Sequence, residues 1–249
     1  MSMRGKRLLG VFAHPDDECY GPGGAIAHYA IQGVEVWILM YTCGEAGSIG
    51  VSSELPRDEL CRLRTGELAA SCDALGVARH RIVGAPDKKV ETMDEESAVE
   101  EILDDIAAFR PHVLMTFHHR GVSSHPDHIA VACFLERAFD ATARRGEKGD
   151  GPVKLYQWGI PEEKARLYER PNLVTTPIDE VHARITPSDE AMDRKIEAIK
   201  CHQTQYDFYL SLSEKFDYRK DSSPECFTLR KSTLRHPDGV ETDLFAGVD

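Results

Sequence analysis

The sequence predicts an α/β fold with a mostly parallel sheet and helices on both faces. Two observations support this prediction. In the first half of the chain, short β-rich apolar runs alternate with longer stretches of helical periodicity, as in chains built from βαβ units. In addition, metal-binding residue types follow the first of these runs directly, and open α/β sheets bind their ligands beyond the carboxyl ends of strands. The 249 residues suffice for one large core.

Strands and helices are expected to alternate regularly up to residue 145. The predicted strands are Arg7 to Ala13, Glu35 to Tyr41, Arg81 to Val83 and Val113 to Phe117. The predicted helices are Gly24 to Ile31, Pro56 to Leu75, Glu95 to Phe109 and Pro126 to about Ala143. Pro56 is placed at the first helical position, and Gly76 and Pro111 act as stop signals. This alternation predicts a Rossmann-like arrangement.

The pattern changes after Gly146. Residues 145–152 read as a loop from their composition. Val153 to Ile160 and His182 to Thr186 are predicted strands, and Ser188 is the predicted N-cap of a helix that reaches about His202. The rest is expected to be an irregular, polar extension. We expect one domain over residues 1–249, in which 1–145 form the α/β core with the metal motifs and 146–249 complete the substrate cleft.

Charge and cysteine content restrict the partners and the location of the protein. The formal net charge is −12, which argues against binding to nucleic acid or to an anionic membrane, because both reward clusters of Lys and Arg. No apolar run approaches the length of a membrane span. The seven cysteines form no C-x-x-C pair and read as small buried hydrophobic residues. We therefore expect a soluble cytoplasmic protein with reduced cysteines.

The strongest site signal is Ala13-His14-Pro15-Asp16-Asp17-Glu18, which is matched downstream by His125-Pro126-Asp127-His128. His14 and Asp17 offer an imidazole and a carboxylate, and His128 can add a second imidazole, which makes a donor set of catalytic zinc. A residue before proline is extended, so each His-Pro-Asp step marks an element boundary where side chains can converge. The remaining polar groups, Asp16, His125 and Asp127, are then available for acid, base and electrostatic roles.

A competing motif fails on one residue. Gly21-Pro22-Gly23-Gly24 after a strand suggests a dinucleotide-binding loop, but Ile26 stands where the pattern requires its third glycine. These glycines are expected to let the chain turn closely past the site into its helix.

The motifs resemble those of the PIG-L/LmbE family of zinc-dependent N-acetylsugar deacetylases, which includes the mycothiol and bacillithiol biosynthetic deacetylases. The resemblance spans most of the chain and is strongest at the two His-Pro-Asp motifs. Weaker matches are Cys43-Gly44-Glu45-Ala46-Gly47, Arg64-Thr65-Gly66-Glu67, Ala74-Leu75-Gly76, Pro86-Asp87 and a late helix with Lys195, Ala198 and His202-Gln203-Thr204-Gln205.

The resemblance implies a role for each site residue. It implies that His14, Asp17 and His128 bind zinc, that Asp16 is the general base and that His125 stabilises the oxyanion. Asp127 would orient a neighbouring histidine. Whether Asp16 or His125 protonates the leaving nitrogen is left open by the spacing.

Arg64 and Asp87 resemble positions that hold sugar hydroxyls or phosphate. Their alternatives are a helix-surface charge paired with Glu67 and a turn former, respectively. Two departures from the mycothiol deacetylases affect the substrate: Ser123 replaces a tyrosine, and His118-His119-Arg120 is an unusual basic insert.

The sequence thus predicts a zinc-dependent hydrolase that removes the acetyl group from an N-acetylglucosamine-type sugar or conjugate. One Zn²⁺ per chain is expected, with Fe²⁺ as another divalent candidate. The alternative is a non-catalytic, metal-stabilised sugar-binding protein. A metallo-phosphoesterase would need more carboxylates for a two-metal site. The resemblance also implies a homo-oligomer, with a hexamer as one expected form.

Overall fold

In the computed structural model, residues 3–47, 55–145, 151–168, 172–207, 210, 216–236 and 238–248 are described. The strands are β1 (Arg7–Phe12), β2 (Glu35–Met40), β3 (Arg79–Ile82), β4 (Val113–Phe117), β5 (Lys154–Pro161), β6 (Thr175–Thr176), β7 (Ala183–Ile185) and β8 (Glu225–Ser232). The helices are α1 (Asp17–Tyr20), α2 (Gly23–Ile31), α3 (Arg57–Leu75), α4 (Glu95–Phe109), α5 (Gly121–Ser124), α6 (Pro126–Arg145), α7 (Ala165–Tyr168), α8 (Asp189–Cys201) and α9 (Tyr218–Asp221). Short 3-10 turns occupy Val90–Thr92, Glu162–Lys164, Ile178–Glu180 and Gln203–Gln205.

The strands form one sheet in the order β3-β2-β1-β4-β5-β8-β7, and β6 pairs with β5. The first five strands of that order are mutually parallel, and β8 runs antiparallel to both β5 and β7. The chain moves outward in one direction from β1 to β3 and in the other from β4 to β5. The strand order therefore reverses between β1 and β4, which is where open α/β sheets form a ligand crevice.

Both faces of the sheet are covered by helices. Helices α2, α3 and α8 pack together on one face, and α4 and α6 pack on the other. Along β1, Leu8 belongs to the first core and Leu9 to the second, and both are fully buried. Successive side chains of a strand point to opposite faces, so a strand buried on both faces is apolar at every position.

The predicted mostly parallel α/β fold is confirmed, and α4 and β4 have the predicted bounds. Pro56 is not the first helical residue, as was expected. Its backbone is extended (ψ 142°), so it is the N-cap residue and α3 begins at Arg57. Gly76 ends this helix with a φ of +81°, a left-handed conformation that glycine adopts without steric cost.

The expectation of an irregular extension after α8 is wrong over Glu225–Ser232, which form β8 inside the sheet. Two buried polar residues, Glu225 and Thr228, interrupt the apolar pattern of this strand. The Glu225 carboxylate accepts from Lys195 Nζ at 2.6 Å and from the backbone N–H groups of Gly24 and Ala25 at the start of α2. A buried strand can carry such a charge only because it is paired.

The interpretation of all seven cysteines as buried thiols is also wrong. Cys43 and Cys61 form a disulfide that joins the loop after β2 to α3. Cys19, Cys72 and Cys226 are buried free cysteines, whereas Cys133 is exposed. Among the described residues, no helix has the length and apolar character needed to cross a membrane.

Candidate metal centre and active site

The two His-Pro-Asp motifs meet at the carboxyl ends of β1 and β4. His14 Nδ1 lies 3.2 Å from His128 Nε2. The Asp17 carboxylate closes the triangle, with one oxygen 3.5 Å from His14 Nδ1 and the other 3.4 Å from His128 Nε2. Two imidazole nitrogens and one carboxylate, from two motifs more than a hundred positions apart in sequence, thus face one point.

This donor set fits a tetrahedral divalent cation. Ligand bonds of about 2.0–2.1 Å in a tetrahedral site place neighbouring donor atoms roughly 3.3–3.4 Å apart, close to the 3.2–3.5 Å separations observed here. The charges also fit. Burial lowers the pKa of His14, but hydrogen bonds to Asp127, Asp17 and Asp87 outweigh that and raise it to about 12. Such an excess of carboxylates around one imidazole is a site that attracts a cation.

Each histidine is oriented by a hydrogen bond from the ring nitrogen that faces away from this point. His14 Nε2 lies 3.0 Å from Asp127 Oδ2 and 3.1 Å from Asp87 Oδ1. His128 Nδ1 lies 3.3 Å from the carbonyl oxygen of Gly121, and its ring stacks on Phe117 with 4.1 Å between centroids. Such contacts fix the tautomer and ring plane of metal-binding histidines.

Both carboxylate oxygens of Asp127 are engaged by other groups of the protein. It is 0% exposed and accepts hydrogen bonds from the backbone N–H groups of Lys88 at 2.8 Å and Val90 at 3.0 Å, in addition to its contact with His14. Burial raises its pKa, but these bonds prevail and lower it to about 2. Asp127 therefore remains ionised and holds His14, as an orienting carboxylate would.

The environment of Asp16 raises its pKa, in contrast to that of Asp127. Its φ is +111°, a conformation that side-chain-bearing residues rarely adopt, and its N–H donates to Glu18 Oε2 at 3.0 Å. Its carboxylate accepts from Arg64 Nη2 at 3.1 Å. Burial raises the pKa of Asp16 and Arg64 lowers it, with a net rise to about 7. A carboxylate with this pKa can exchange protons near neutral pH.

Arg64 is not a helix-surface charge paired with Glu67. Its guanidinium is buried and donates to the carbonyl oxygens of Gly44 at 3.0 Å and Pro15 at 2.7 Å. A Cβ atom on Gly44 or Gly47 would collide with it, so the glycines of this loop make room for the guanidinium. Arg64 thus holds the backbone and the carboxylate of the first motif together.

Asp87 is more than a turn residue. It is 5% exposed and accepts from the N–H of Ala46 at 2.9 Å, while its own N–H donates to Glu45 Oε1 at 2.8 Å. With its contact to His14 Nε2, these bonds place Asp87 in the wall of the centre. Burial raises its pKa, but His14 and the Ala46 N–H lower it overall.

His125 lies beside the centre, with its ring 4.7 Å from that of His14. His125 Nδ1 accepts from the N–H of Asp127 at 3.2 Å, which requires this nitrogen to be unprotonated. Burial, His128 and His14 lower its pKa. His125 is therefore a neutral imidazole that can donate through Nε2–H. The ring nitrogens of His14, His125 and His128 also lie within 4.8 Å of one another, so His125 belongs to a second candidate ligand set.

Glu18 is a further residue of the site for which no role was predicted, and its carboxylate accepts the N–H of Asp16. Glu18 is 0% exposed; it pairs with His202 Nε2 at 2.8 Å and accepts from Ser71 Oγ at 2.5 Å. Burial raises its pKa, but these partners lower it overall. The partners are 53 and 184 positions away in sequence, so no local pattern could reveal the pair.

The basic insert, residues 118–120, connects the first half of the chain to residues after 146 through hydrogen bonds. His118 Nε2 lies 3.2 Å from Glu180, and Arg120 donates to the carbonyl oxygen of Thr175 at 3.1 Å. His119 Nδ1 lies 3.2 Å from Gln157 Oε1. These side chains are engaged away from the donor triangle.

A cleft of about 450 Å³ opens over the centre and is lined by residues of both halves of the chain, including Trp158, Leu173 and Tyr218. The switch-point position, the two-histidine, one-carboxylate triangle and the adjoining Asp16 are features of metal-dependent hydrolases.

The chain belongs to the PIG-L family. The family model, described as GlcNAc-PI de-N-acetylase, matches residues 9–139. A 1D-myo-inositol 2-acetamido-2-deoxy-alpha-D-glucopyranoside deacetylase from Acidothermus cellulolyticus is 32% identical over 98% of this chain and 96% of its own length.

Two solved structures share the fold. The conserved protein TT1542 from Thermus thermophilus superposes with a TM-score of 0.66 at 21% identity, covering 93% of this chain and 98% of its own. The zinc inhibited form of teicoplanin deacetylase Orf2 has a TM-score of 0.64 at 19% identity, covering 92% and 100%. The predictions of family, fold class and sugar N-deacetylation are confirmed by these matches.

Proposed function

We propose that this enzyme removes the acetyl group from an N-acetylglucosamine unit linked to a polyol. The observation that carries the proposal is Asp16, whose pKa is raised to about 7, beside the donor triangle of His14, Asp17 and His128. The full-length similarity to an inositol N-acetylglucosaminide deacetylase supports the substrate class.

We propose that His14, Asp17 and His128 hold one Zn²⁺ per chain, with Fe²⁺ as the alternative. Two imidazoles and one carboxylate are a donor set of catalytic zinc and also suit iron. When bound, the ion acts as a Lewis acid that polarises the amide carbonyl and lowers the pKa of water.

Asp16 accepts the proton of the attacking water. Its backbone is held by Glu18 and its carboxylate by Arg64, so the proton-accepting oxygen is fixed relative to the centre. Its raised pKa lets it take a proton and release it again near pH 7.

His125 donates its Nε2–H to the oxygen that gains negative charge as water adds to the amide carbon. Because that hydrogen is used on the oxyanion, the leaving nitrogen takes its proton from Asp16, which gained one in the first step. The C–N bond then breaks, and the products are acetate and a free amine. A neutral donor of this kind contributes about 10²- to 10³-fold to the rate.

Arg64 and Asp87 line the cleft and remain our candidates for sugar contacts. The Arg64 guanidinium already donates to Pro15, Gly44 and Asp16, so a sugar oxygen would have to approach the part of it that faces the cleft. The Asp87 oxygens already serve Ala46 and His14, which leaves only their remaining lone pairs for a sugar hydroxyl.

Acetate release from a panel of N-acetylglucosaminides tests this function. We expect one acetate for each amine produced, and loss of both in the Asp16→Asn variant. Saturable binding without acetate release would instead identify a sugar-binding protein, and phosphate release from phosphorylated sugars would identify a phosphoesterase.

We further propose that residues 1–249 act as one domain, in a homo-oligomer located in the cytoplasm. The cleft takes residues from both 1–145 and 146–249, and the oligomer rests on the family resemblance. Buried thiols such as Cys19 and Cys72 favour a reducing compartment, whereas the Cys43–Cys61 disulfide does not. Light scattering and a thiol count on protein from native cells test these two points.

A further inference from the structure

The cleft is divided into two halves of different chemistry on either side of the donor triangle. On the side of β2 and β3, it is lined by Gly47, Arg64, Asp87 and Lys88, which we call the polar half. On the side of β4 and β5, it is lined by Phe117, Val122, Trp158, Ile160 and Leu173, which we call the apolar half. The cleft is also lined by Tyr20, Ser123, Gln205, Phe216 and Tyr218.

The apolar half is formed by side chains that are packed firmly into the protein. Phe117 and Ile160 are each 3% exposed and Trp158 is 9% exposed, so their faces toward the cleft are the little surface they retain. The Trp158 ring lies so close to Gly21 that a Cβ atom there would be 3.0 Å from it. The half carries no charged side chain among the described lining residues.

The segment that carries Leu173 is fixed to the loop after β4. The N–H of Val174 donates to the carbonyl oxygen of Val122 at 2.6 Å, and Arg120 donates to the carbonyl oxygen of Thr175. Leu173 and Val122 therefore line the cleft together.

An amide held at the centre carries a sugar on its nitrogen and an acyl chain on its carbonyl carbon. The two halves of the cleft suit these two substituents differently. Apart from the indole N–H of Trp158, the side chains of the apolar half cannot hydrogen-bond a sugar, so a sugar there would lose most of its water without replacement, which is costly. The same sugar in the polar half meets Arg64, Asp87 and Lys88. The amine side of the amide therefore points to the polar half and the acyl side points to the apolar half. The methyl of an acetyl group occupies only a small part of that half.

We infer that the apolar half is an acyl-binding subsite and that the enzyme hydrolyses N-acyl sugars with chains longer than acetyl. The inference rests on the proposed function. The reaction is the same hydrolysis: water adds to the amide carbon, the C–N bond breaks, and a fatty carboxylate and an amine are released. Burial of one methylene corresponds to about a fourfold gain in kcat/KM.

The test is a series of glucosaminides with one common aglycone and acetyl, propionyl, butyryl or hexanoyl on nitrogen. We expect kcat/KM to rise from acetyl to butyryl. A maximum at acetyl would overturn the inference and leave the proposed function intact. Failure to hydrolyse any member would overturn the proposed function and the inference with it. A parallel series of N-acetyl substrates with alkyl aglycones must show no such rise; a rise there alone would assign the apolar half to the aglycone and overturn the inference.

A pair of variants locates the effect. Leu173→Asn places an amide in the apolar half and should lower the butyryl-to-acetyl ratio of kcat/KM about tenfold. The matched control is Ile178→Asn, which changes a 57% exposed isoleucine outside the cleft and should leave the ratio unchanged. Trp158→Phe provides a second variant should Leu173→Asn fail to fold. An unchanged ratio in the folded cleft variant would overturn the inference.

Discussion

The tripeptide His-Pro-Asp occurs twice around one centre, at residues 14–16 and 125–127, and corresponding side chains take different places. In the first copy, the histidine contributes Nδ1 to the donor triangle and the aspartate lies beside it. In the second copy, the histidine stands off the triangle and the aspartate is buried behind His14. The residue after each tripeptide, Asp17 or His128, completes the triangle.

The two aspartates differ in the partners of their carboxylates. Asp127 has two backbone N–H donors and an imidazole, and its pKa is lowered to about 2. Asp16 is partly buried, with Arg64 as its charged partner, and its pKa is raised to about 7. The same residue in the same tripeptide is thus a fixed anion in one place and a proton acceptor in the other, because environment sets the pKa.

Replacing Asp16 should have the largest effect. Asp16→Asn keeps the side-chain shape and suits the positive φ, but it removes the proton acceptor, so kcat should fall about 10²- to 10⁴-fold. Metal content, measured by elemental analysis, should stay at the wild-type value. Activity within about threefold of wild type would show that Asp16 is not the base.

Replacing His125 should have the next largest effect. His125→Ala should lower kcat about 10²- to 10³-fold with little change in KM, because the lost hydrogen bond forms only as the oxyanion develops. His14→Ala is the matched variant from the first motif and should lose the metal. If His125→Ala also lost the metal, the set of His14, His125 and His128 would be the ligand set.

Replacing Asp127 should act through His14. Asp127→Asn weakens the bond to His14 Nε2, and metal affinity, measured by competition with a chelator, should fall about 10- to 100-fold. At saturating metal, its kcat should fall less than that of Asp16→Asn. An equal loss of kcat in the two variants would contradict the assignment of different roles.

Local sequence patterns were sufficient to predict the strands and helices near the site and the two motifs that form it. The bounds of α4 and β4 follow from short stretches of sequence, and so does the expectation that His14 and His128 converge, which agrees with their 3.2 Å separation. What could not be predicted depends on distant partners. Glu18 gains its role from His202, 184 positions away. The buried glutamate of β8 is tolerated because Lys195 and the N–H groups at the start of α2 pair with it.

The smallest expected effect concerns the stability of the metal-free protein. The pKa of Asp16 is raised from 3.8 to about 7 on folding, so its contribution to stability is present below pH 3.8 and is lost as pH rises through 7. The pKa of Asp127 is lowered to about 2, so its contribution is present above pH 3.8 and is lost as pH falls toward 2.

The two amide variants should therefore diverge in opposite directions. In thermal unfolding of chelator-treated protein, Asp16→Asn should gain Tm relative to wild type as pH rises from 4 to 8, because the variant has no carboxylate to ionise in the buried site. Asp127→Asn should lose most relative to wild type above pH 4, and the loss should shrink toward acidic pH, where the wild-type carboxylate is protonated as well. Neither carboxyl would have a shifted pKa if the Asp16→Asn curve ran parallel to wild type from pH 4 to 8 and the Asp127→Asn curve ran parallel to wild type from pH 4 down to 2. The contrast between the two motifs would then reside in geometry alone.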